Sequence, residues 1–251
     1  MTMIEQINAL RAYYNRMYEL SGVQKPKWLL ENKAPESVFQ VDDSDSGLEV
    51  RMDGPIDSLF GGLDSKQIIS KLKETPDKDL KVTLTTPGGN LNEGLQLHGY
   101  LSDRAKEGNV SIRGQGLVAS AGAVIFLAAP LQNRTLSNGT MFMVHGSQAV
   151  HLAVGNRYDI KDSADRLYEV MKDNDENLHG IVNSSTEVPE KELKNWLEKE
   201  KFLTKNKAIE YGIASEDTEA DAQESEGNQD AELDEGIKAY LDMVRINLYG
   251  G

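Results

Sequence analysis

The run Leu80-Lys-Val-Thr-Leu-Thr-Thr-Pro-Gly-Gly-Asn90 decides the fold class of this 251-residue chain. Apolar and β-branched residues predict a β-strand over 80–85, and the proline and the two glycines end it. Apolar residues at helical spacing follow and predict a helix over 92–105. Alternation of strand and helix favours a largely parallel sheet joined by crossover helices, so the run indicates an α/β fold.

The same alternation continues outward from this run in both directions. Further strands are predicted over 48–52, 110–114, 134–136 and 141–144, and further helices over 65–74, after Ser120, over 156–183 and over 190–200. We therefore expect a compact α/β domain over 47–215. An N-terminal part over 1–46 precedes it, made of a helix over 2–21 and a linker arm over 23–46, and a tail over 216–251 follows it.

The composition excludes several kinds of site. The chain has no cysteine, which rules out disulfides, thiolate metal sites and a cysteine nucleophile. We expect neither a metal nor a cofactor, because no zinc-type spacing occurs among the four histidines, His98, His145, His151 and His179. The start of the chain does not look like a secretory signal, and the longest apolar run, 116–131, is shorter than the roughly 18 residues that span a bilayer. We therefore expect a soluble protein of the cytoplasm.

The net charge of −14 is concentrated in one segment. Residues 216–235 contain ten acidic residues and no basic one, so −10 of the −14 lies there and −4 remains for the rest of the chain. Such a run argues against nucleic-acid binding and is typical of a disordered tail, although it is also compatible with docking to a basic partner. Residues 233–248 overlap its end and show the apolar spacing of an amphipathic helix.

Two polar residues, Ser120 and His145, are distinguished by their surroundings. Ser120 lies in Gly116-Leu-Val-Ala-Ser-Ala-Gly-Ala-Val-Ile-Phe-Leu127, as a hydroxyl among small residues at the start of a helix-like run. His145 ends the β-rich run Thr140-Met-Phe-Met-Val-His145, before Gly146. A serine needs a base to become a nucleophile, and a helix N-terminus stabilises a developing anion, so the pair is a candidate nucleophile and general base. The local patterns are also compatible with a serine N-cap and a structural histidine.

The turn Pro87-Gly88-Gly89 supplies the third part of this hypothesis. Two glycines between a strand and a helix permit backbone conformations closed to other residues and expose N–H groups that can hold an oxyanion. The same turn is compatible with a phosphate, but no Lys-Ser or Lys-Thr follows it and the pattern is not G-x-G-x-x-G. Ser120 does not lie in a G-x-S-x-G elbow either, because Val118 takes the place of the first glycine.

Three segments resemble parts of the Clp protease proteolytic subunit, ClpP, in their order and near spacing. They are Thr86-Pro-Gly-Gly, Gly116-Leu-Val-Ala-Ser-Ala-Gly-Ala and Met143-Val-His145. The segment Glu200-Lys-Phe-Leu-Thr-Lys-Asn-Lys-Ala-Ile-Glu-Tyr-Gly-Ile is similar to a further part of that family. The resemblance implies a protease domain over 47–215 with the α/β spiral fold of ClpP and the crotonases. To this domain the chain adds a helical N-terminal extension and an acidic C-terminal tail.

The resemblance also implies a set of site residues. Ser120 is then the nucleophile and His145 the general base of a serine peptidase. The N–H groups of Gly89 and Ala121 would form the oxyanion hole. Glu200 aligns with the family's triad aspartate, and the competing acid is Glu198, two residues earlier. Because the family forms rings, we expect a homo-oligomer that acts on protein or peptide substrates and binds neither nucleic acid nor membrane.

The two ends of the chain differ from the housekeeping ClpP and resemble the ClpP-like proteases of tailed phages. That resemblance implies cleavage of scaffold and capsid precursors during head maturation, in the host cytoplasm or the prohead. The helix over 2–21 has no obvious place in the core, so we expect it to pack on a neighbouring subunit or a head protein.

Other functions remain open at this point. One alternative is a ClpP peptidase that works with an ATPase partner, and another is a non-catalytic scaffold protein on the same fold. A crotonase-like acyl-CoA enzyme would not need the Ser–His pair. A relative of the signal-peptide peptidases would use Ser–Lys chemistry, and the histidine and the lack of a membrane segment argue against it.

Overall fold

The computed structural model describes residues 3–26, 30, 37–58, 61–108, 110–149 and 156–216. The helices used below are α1 (Met3–Ser21), α2 (Ser65–Leu72), α3 (Leu91–Glu107), α4 (Ala121–Phe126), α5 (Arg157–Ser185), α6 (Glu190–Glu198) and α7 (Lys205–Glu210). The strands are β1 (Val38–Ser44), β2 (Gly47–Asp53), β3 (Leu80–Thr86), β4 (Val110–Ala119), β5 (Arg134–Leu136), β6 (Met141–Val144) and β7 (Lys201–Thr204).

These strands form one mixed sheet. Their order is β1-β2-β3-β4-β6-β7, with β5 beside β4. Strands β2 to β6 pair in parallel, while β1 and β7 run antiparallel to their neighbours at the two edges. Helices α2, α3 and α4 connect successive parallel strands, as the alternation in the sequence predicts. The predicted α/β class is therefore confirmed.

The run that decides the fold class behaves as its pattern predicts. Leu80, Val82 and Leu84 are each at most 2% exposed, so one side of β3 lies in the main core. Asn90, at the end of the run, is the N-cap of α3 and its side chain accepts a hydrogen bond from the Glu93 N–H. The cap satisfies an N–H that has no partner inside the helix and directs α3 away from the end of β3.

Strand β1 corrects one expectation. Residues 38–44 form a strand along the whole of β2, although they were expected to belong to an irregular arm. That expectation was wrong because an edge strand needs few apolar residues. Most of β1 is exposed, and Phe39 and Val41 are the residues that pack against the core.

Strand β4 is longer than its sequence pattern indicates. The prediction ended it at Gly114, but it continues to Ala119 and stops directly before Ser120. Gly114 and Gly116 interrupt the apolar pattern, which explains the early end of the prediction. The extended part pairs with β6 from Leu117 to Ala119 and so aligns the ends of the two strands.

Helix α1 packs on the sheet of its own chain. Tyr14 and Met17 are fully buried against Leu117, Ala119 and Met143. These three residues alternate along β4 and β6 with residues of the main core, so they face the opposite side of the sheet. The expectation that the helix must pack on a neighbouring protein was wrong, because this second apolar face lies within the chain.

The predicted tail over 216–251 lies outside the described residues apart from Glu216, and so does the amphipathic helix predicted over 233–248. The division of the chain after residues 46 and 215 stays a prediction. Within the described part of the chain, no helix has both the length and the apolar character required to cross a bilayer.

Gly122 allows α4 to lie close to β3, and this contact is testable. A Cβ at Gly122 would lie 2.1 Å from Cγ2 of the buried Thr86. We expect Gly122→Ala to lower the free energy of unfolding by about 1–3 kcal/mol, the usual cost of overpacking a core. Urea unfolding followed by tryptophan fluorescence measures the change.

Gly99 on α3 provides the control for this substitution. A Cβ there meets no neighbouring heavy atom within 4 Å. Gly99→Ala should therefore raise stability by up to about 1 kcal/mol through helix propensity. Equal stability of the two variants would contradict the tight packing of α4 on β3.

Candidate active site

Ser120 occupies a strained turn between β4 and α4. Its φ of 55° and ψ of −122° make it the one non-glycine residue with positive φ in the described part of the chain. Such a conformation costs on the order of 1–3 kcal/mol, and the surrounding structure must hold it in place. The Ser120 N–H donates to the Met143 carbonyl at 2.9 Å, which ties the turn to β6. The side chain makes no capping hydrogen bond to α4 and is free for another partner.

That partner is His145. Nε2 of His145 lies 2.8 Å from Oγ of Ser120. Val144 ends β6, and the next peptide is fixed because the Gly146 N–H donates to the Leu197 carbonyl at 2.9 Å. A Cβ at Gly146 would lie 2.7 Å from that carbonyl, so the glycine is required by packing rather than by space around the ring. The structure thus brings together the two residues predicted as nucleophile and base.

The environment of His145 favours its neutral form. Burial lowers the pKa of the imidazole below its ordinary value and is the largest effect. The charges of Glu200 and Asp175 and the backbone of Gly146 oppose burial and raise the pKa, while Arg16 lowers it further. A neutral imidazole can accept the serine proton at neutral pH, as a general base must.

Glu200 lies near His145 but is not hydrogen-bonded to it. Its two carboxylate oxygens accept from Arg16 Nη2 at 3.1 Å and from Gln148 Nε2 at 3.2 Å. Nδ1 of His145 is buried and bonds to no side chain among the described residues, while the backbone of Gly146 acts on the ring. The competing acid, Glu198, is exposed at the last residue of α6. Of the two predicted acids, Glu200 is therefore the one whose charge acts on the imidazole.

The Gly88-Gly89 turn packs directly against the Ser120 turn. Its φ angles of 88° and 144° are accessible to glycine, and a Cβ at Gly88 would lie 2.5 Å from Cβ of Ser120. The Gly88 carbonyl accepts from Ile56 N–H at 2.9 Å, and Asn90 N–H donates to the Ile56 carbonyl at 2.7 Å. These bonds fix the turn without using the Gly89 N–H.

Ala121 completes this group of backbone amides. It is the first residue of α4, so its N–H has no acceptor within the helix. It is also 1% exposed, and a Cβ at Gly94 would lie 2.9 Å from its own Cβ. The small residues beside Ser120 therefore serve the packing of α4 on α3.

Asp175, Arg16 and Gln148 are neighbours of the site that sequence reasoning missed. Asp175 accepts a hydrogen bond from the Ser147 N–H at 2.5 Å, directly after His145 and Gly146. It is one of many acidic residues on α5, and a charge on a long polar helix carries no local signal. Arg16 is far from Glu200 in sequence, and only the docking of α1 on the sheet brings the two together.

The remaining histidines lie elsewhere. Nδ1 of His98 is 2.8 Å from the Val124 carbonyl, and burial is the main cause that lowers the pKa of this residue. Nε2 of His179 is 2.9 Å from a carboxylate oxygen of Glu190 at the surface. His151 lies outside the described residues. These contacts give His98 and His179 structural roles away from Ser120.

Comparisons with known proteins each cover about two thirds of the chain. A model of the family described as Clp protease matches residues 50–219. A Rhizobium etli protein named ATP-dependent Clp protease proteolytic subunit 3 is 28% identical over 162 residues, which are 64% of this chain and 79% of that protein. The protein of the same name from Rhizobium johnstonii is 27% identical with the same coverage. A solved ClpP1 mutant from Listeria monocytogenes aligns with a TM-score of 0.51 and 22% identity, over 66% of this chain and 88% of its own, and supports the shared fold.

The lowered pKa of His145 predicts how peptide hydrolysis would depend on pH with this histidine in its predicted role of general base. The base is active when neutral, so kcat/KM should rise with pH through a pKa below the ordinary histidine value of 6.5. A pH profile of kcat/KM measures this limb. His98→Gln is the control, because the pKa of His98 is also lowered but its ring bonds to a backbone carbonyl and not to Ser120. A limb at or above 6.5, or one that moves in His98→Gln, would contradict the assignment.

Proposed function

This chain belongs to the Clp protease family, and we propose that it is a serine endopeptidase with Ser120 as nucleophile and His145 as general base. The observation that carries the proposal is the 2.8 Å contact between Ser120 Oγ and His145 Nε2 at a strained turn. A serine held in this conformation only for packing would not need a buried neutral imidazole at its hydroxyl. The pair matches the requirement for an activated serine.

The proposed reaction uses the groups around this pair. Ser120 Oγ attacks the scissile carbonyl while His145 Nε2 takes its proton, and His145 then returns the proton to the leaving amine. The oxyanion of the tetrahedral intermediate accepts hydrogen bonds from the N–H groups of Gly89 and Ala121. In the second half of the reaction, His145 takes a proton from water, the water attacks the acyl-enzyme carbonyl, and Ser120 leaves with that proton. Glu200 is the proposed acid, which orients the imidazole and balances its positive charge.

Two alternatives explain this geometry less well. A non-catalytic scaffold protein has no use for a strained serine against a buried histidine. An acyl-CoA enzyme of the crotonase type would use paired N–H donors for a thioester enolate, but it would leave the Ser120–His145 contact without a role. Both alternatives predict that a serine-directed reagent does not react with Ser120.

Two biological roles are compatible with this chemistry. The relatives from Rhizobium are named as proteolytic subunits of an ATP-dependent protease, which favours a peptidase that works with an ATPase partner. The helical N-terminal extension and the acidic C-terminal sequence are the features that favour cleavage of scaffold and capsid precursors in a phage head. Dependence of protein degradation on an added ATPase separates the two roles.

We also propose that the protein assembles with copies of itself. Four large apolar side chains on α5 are exposed by 43% to 67%: Tyr158, Ile160, Tyr168 and Val170. Together they give the first half of α5 an apolar surface that contact with another protein would bury. A homo-oligomeric ring would cover them.

Active-site labelling tests the proposed chemistry. A fluorophosphonate should label Ser120, and Ser120→Ala should abolish labelling and lower kcat for a peptide by several orders of magnitude, on the order of 10³-fold or more. The circular dichroism spectrum should not change, because only a hydroxyl is removed.

Ser102→Ala is the matched control. Its Oγ also lies beside a histidine, 3.4 Å from His98 Nε2, but on a regular helix and away from the Gly88-Gly89 turn. It should keep full activity and labelling. Labelling of another residue, or activity that survives Ser120→Ala, would refute the assignment of the nucleophile.

A further inference from the structure

The proposed acid and base stand next to each other without forming their hydrogen bond. Both oxygens of the Glu200 carboxylate are used by other groups, Arg16 and Gln148. Nδ1 of His145 is buried and bonds to neither Glu200 nor another described side chain, and the backbone of Gly146 is the neighbouring group that acts on the ring. In a working triad the acid accepts the Nδ1–H of the histidine. The proposed nucleophile–base contact is therefore formed while the base–acid contact is not.

Arg16 reaches Glu200 because α1 is firmly docked on the sheet. The adjacent Met17 and the nearby Tyr14 are fully buried against β4 and β6, the strands that end at Ser120 and His145. Phe202, two residues after Glu200, packs against the same apolar cluster. The helix thus contacts the rear of the strands that carry the site and the strand that begins after Glu200.

The charge of Arg16 also opposes the chemistry directly. Its guanidinium side chain is 66% exposed, whereas the Glu200 side chain is 12% exposed, so the pair joins a surface cation to a nearly buried carboxylate. Arg16 lowers the pKa of His145, which means that it disfavours the imidazolium. That cation forms in the transition state of serine peptidases.

We propose that α1 is an intramolecular inhibitory element, in which Arg16 holds the Glu200 carboxylate away from His145 Nδ1. Displacement of α1, or loss of the Arg16 guanidinium, frees the carboxylate to accept the Nδ1–H and to stabilise the imidazolium. The inference rests on the proposed peptidase function and adds a latent state to it. It assigns to the N-terminal helix a regulatory role that acts through a single ion pair.

The test is Arg16→Gln in the full-length protein. The substitution removes the charge but keeps a side chain of similar length. We expect kcat for a fluorogenic peptide to rise at least about tenfold with little change in KM, a part of the roughly ten-thousand-fold cost of a misplaced or altered triad acid. Arg16→Lys keeps the charge and should remain nearer to the wild type.

Two further variants make the result specific. Lys25→Gln breaks a different ion pair near this end of α1, between Lys25 and Glu19, and should leave kcat unchanged. Adding Glu200→Gln to Arg16→Gln should cancel the gain, because the freed acid is then absent. A gain that persists without the Glu200 carboxylate would overturn the proposed mechanism of inhibition.

Fluorophosphonate labelling separates failure of this inference from failure of the proposed function. If Ser120 is labelled but Arg16→Gln has unchanged or lower kcat, α1 is not inhibitory and the peptidase assignment stands. If Ser120 is labelled in neither the wild type nor Arg16→Gln, the peptidase function itself is refuted. Faster labelling of Arg16→Gln than of the wild type supports both.

Discussion

The site depends on the parallel pairing of β3, β4 and β6. Parallel strands end at the same edge of a sheet, so their carboxyl ends place the residues that follow them side by side. Here β3 leads to Gly89, β4 to Ser120 and β6 to His145. The register from Ala119 to Met143 and the hydrogen bond from Ser120 N–H to the Met143 carbonyl fix the two polar residues at contact distance. Position 88 has no room for a side chain larger than hydrogen, because a Cβ there would collide with Ser120.

At this edge of the sheet, burial and nearby charges have opposite effects on the pKa of His145. Burial of His145 keeps the imidazole neutral, and the carboxylates of Glu200 and Asp175 reduce that effect. Two anions near a base that becomes cationic during the proposed reaction stabilise the charged form where it is needed. Arg16 acts against them from α1, so the net field at His145 depends on where that helix lies. In this way an element on the rear of the sheet influences the proposed chemistry at its edge.

Features set by neighbouring residues in the sequence could be predicted, whereas contacts between distant parts of the chain could not. Ser120, His145 and the Gly88-Gly89 turn carry local signals, since each ends a strand with a residue type suited to a nucleophile, a base or an exposed amide. The edge strand β1 carries almost none, because most of its residues face solvent. The docking of α1 and the contact of Arg16 with Glu200 join distant parts of the chain, and periodicity within one segment does not encode which distant surface it covers.

We propose that the Ser120–His145 pair and the N–H groups of Gly89 and Ala121 form one catalytic unit. A crystal structure of the protein with a peptide boronate bound tests it most directly, because tetrahedral boron mimics the intermediate. We expect a covalent bond from boron to Ser120 Oγ. We also expect one boronate oxygen at about 2.7–3.1 Å from the nitrogens of Gly89 and Ala121. Boron bound to another residue, or a boronate oxygen directed away from both amides, would contradict the account.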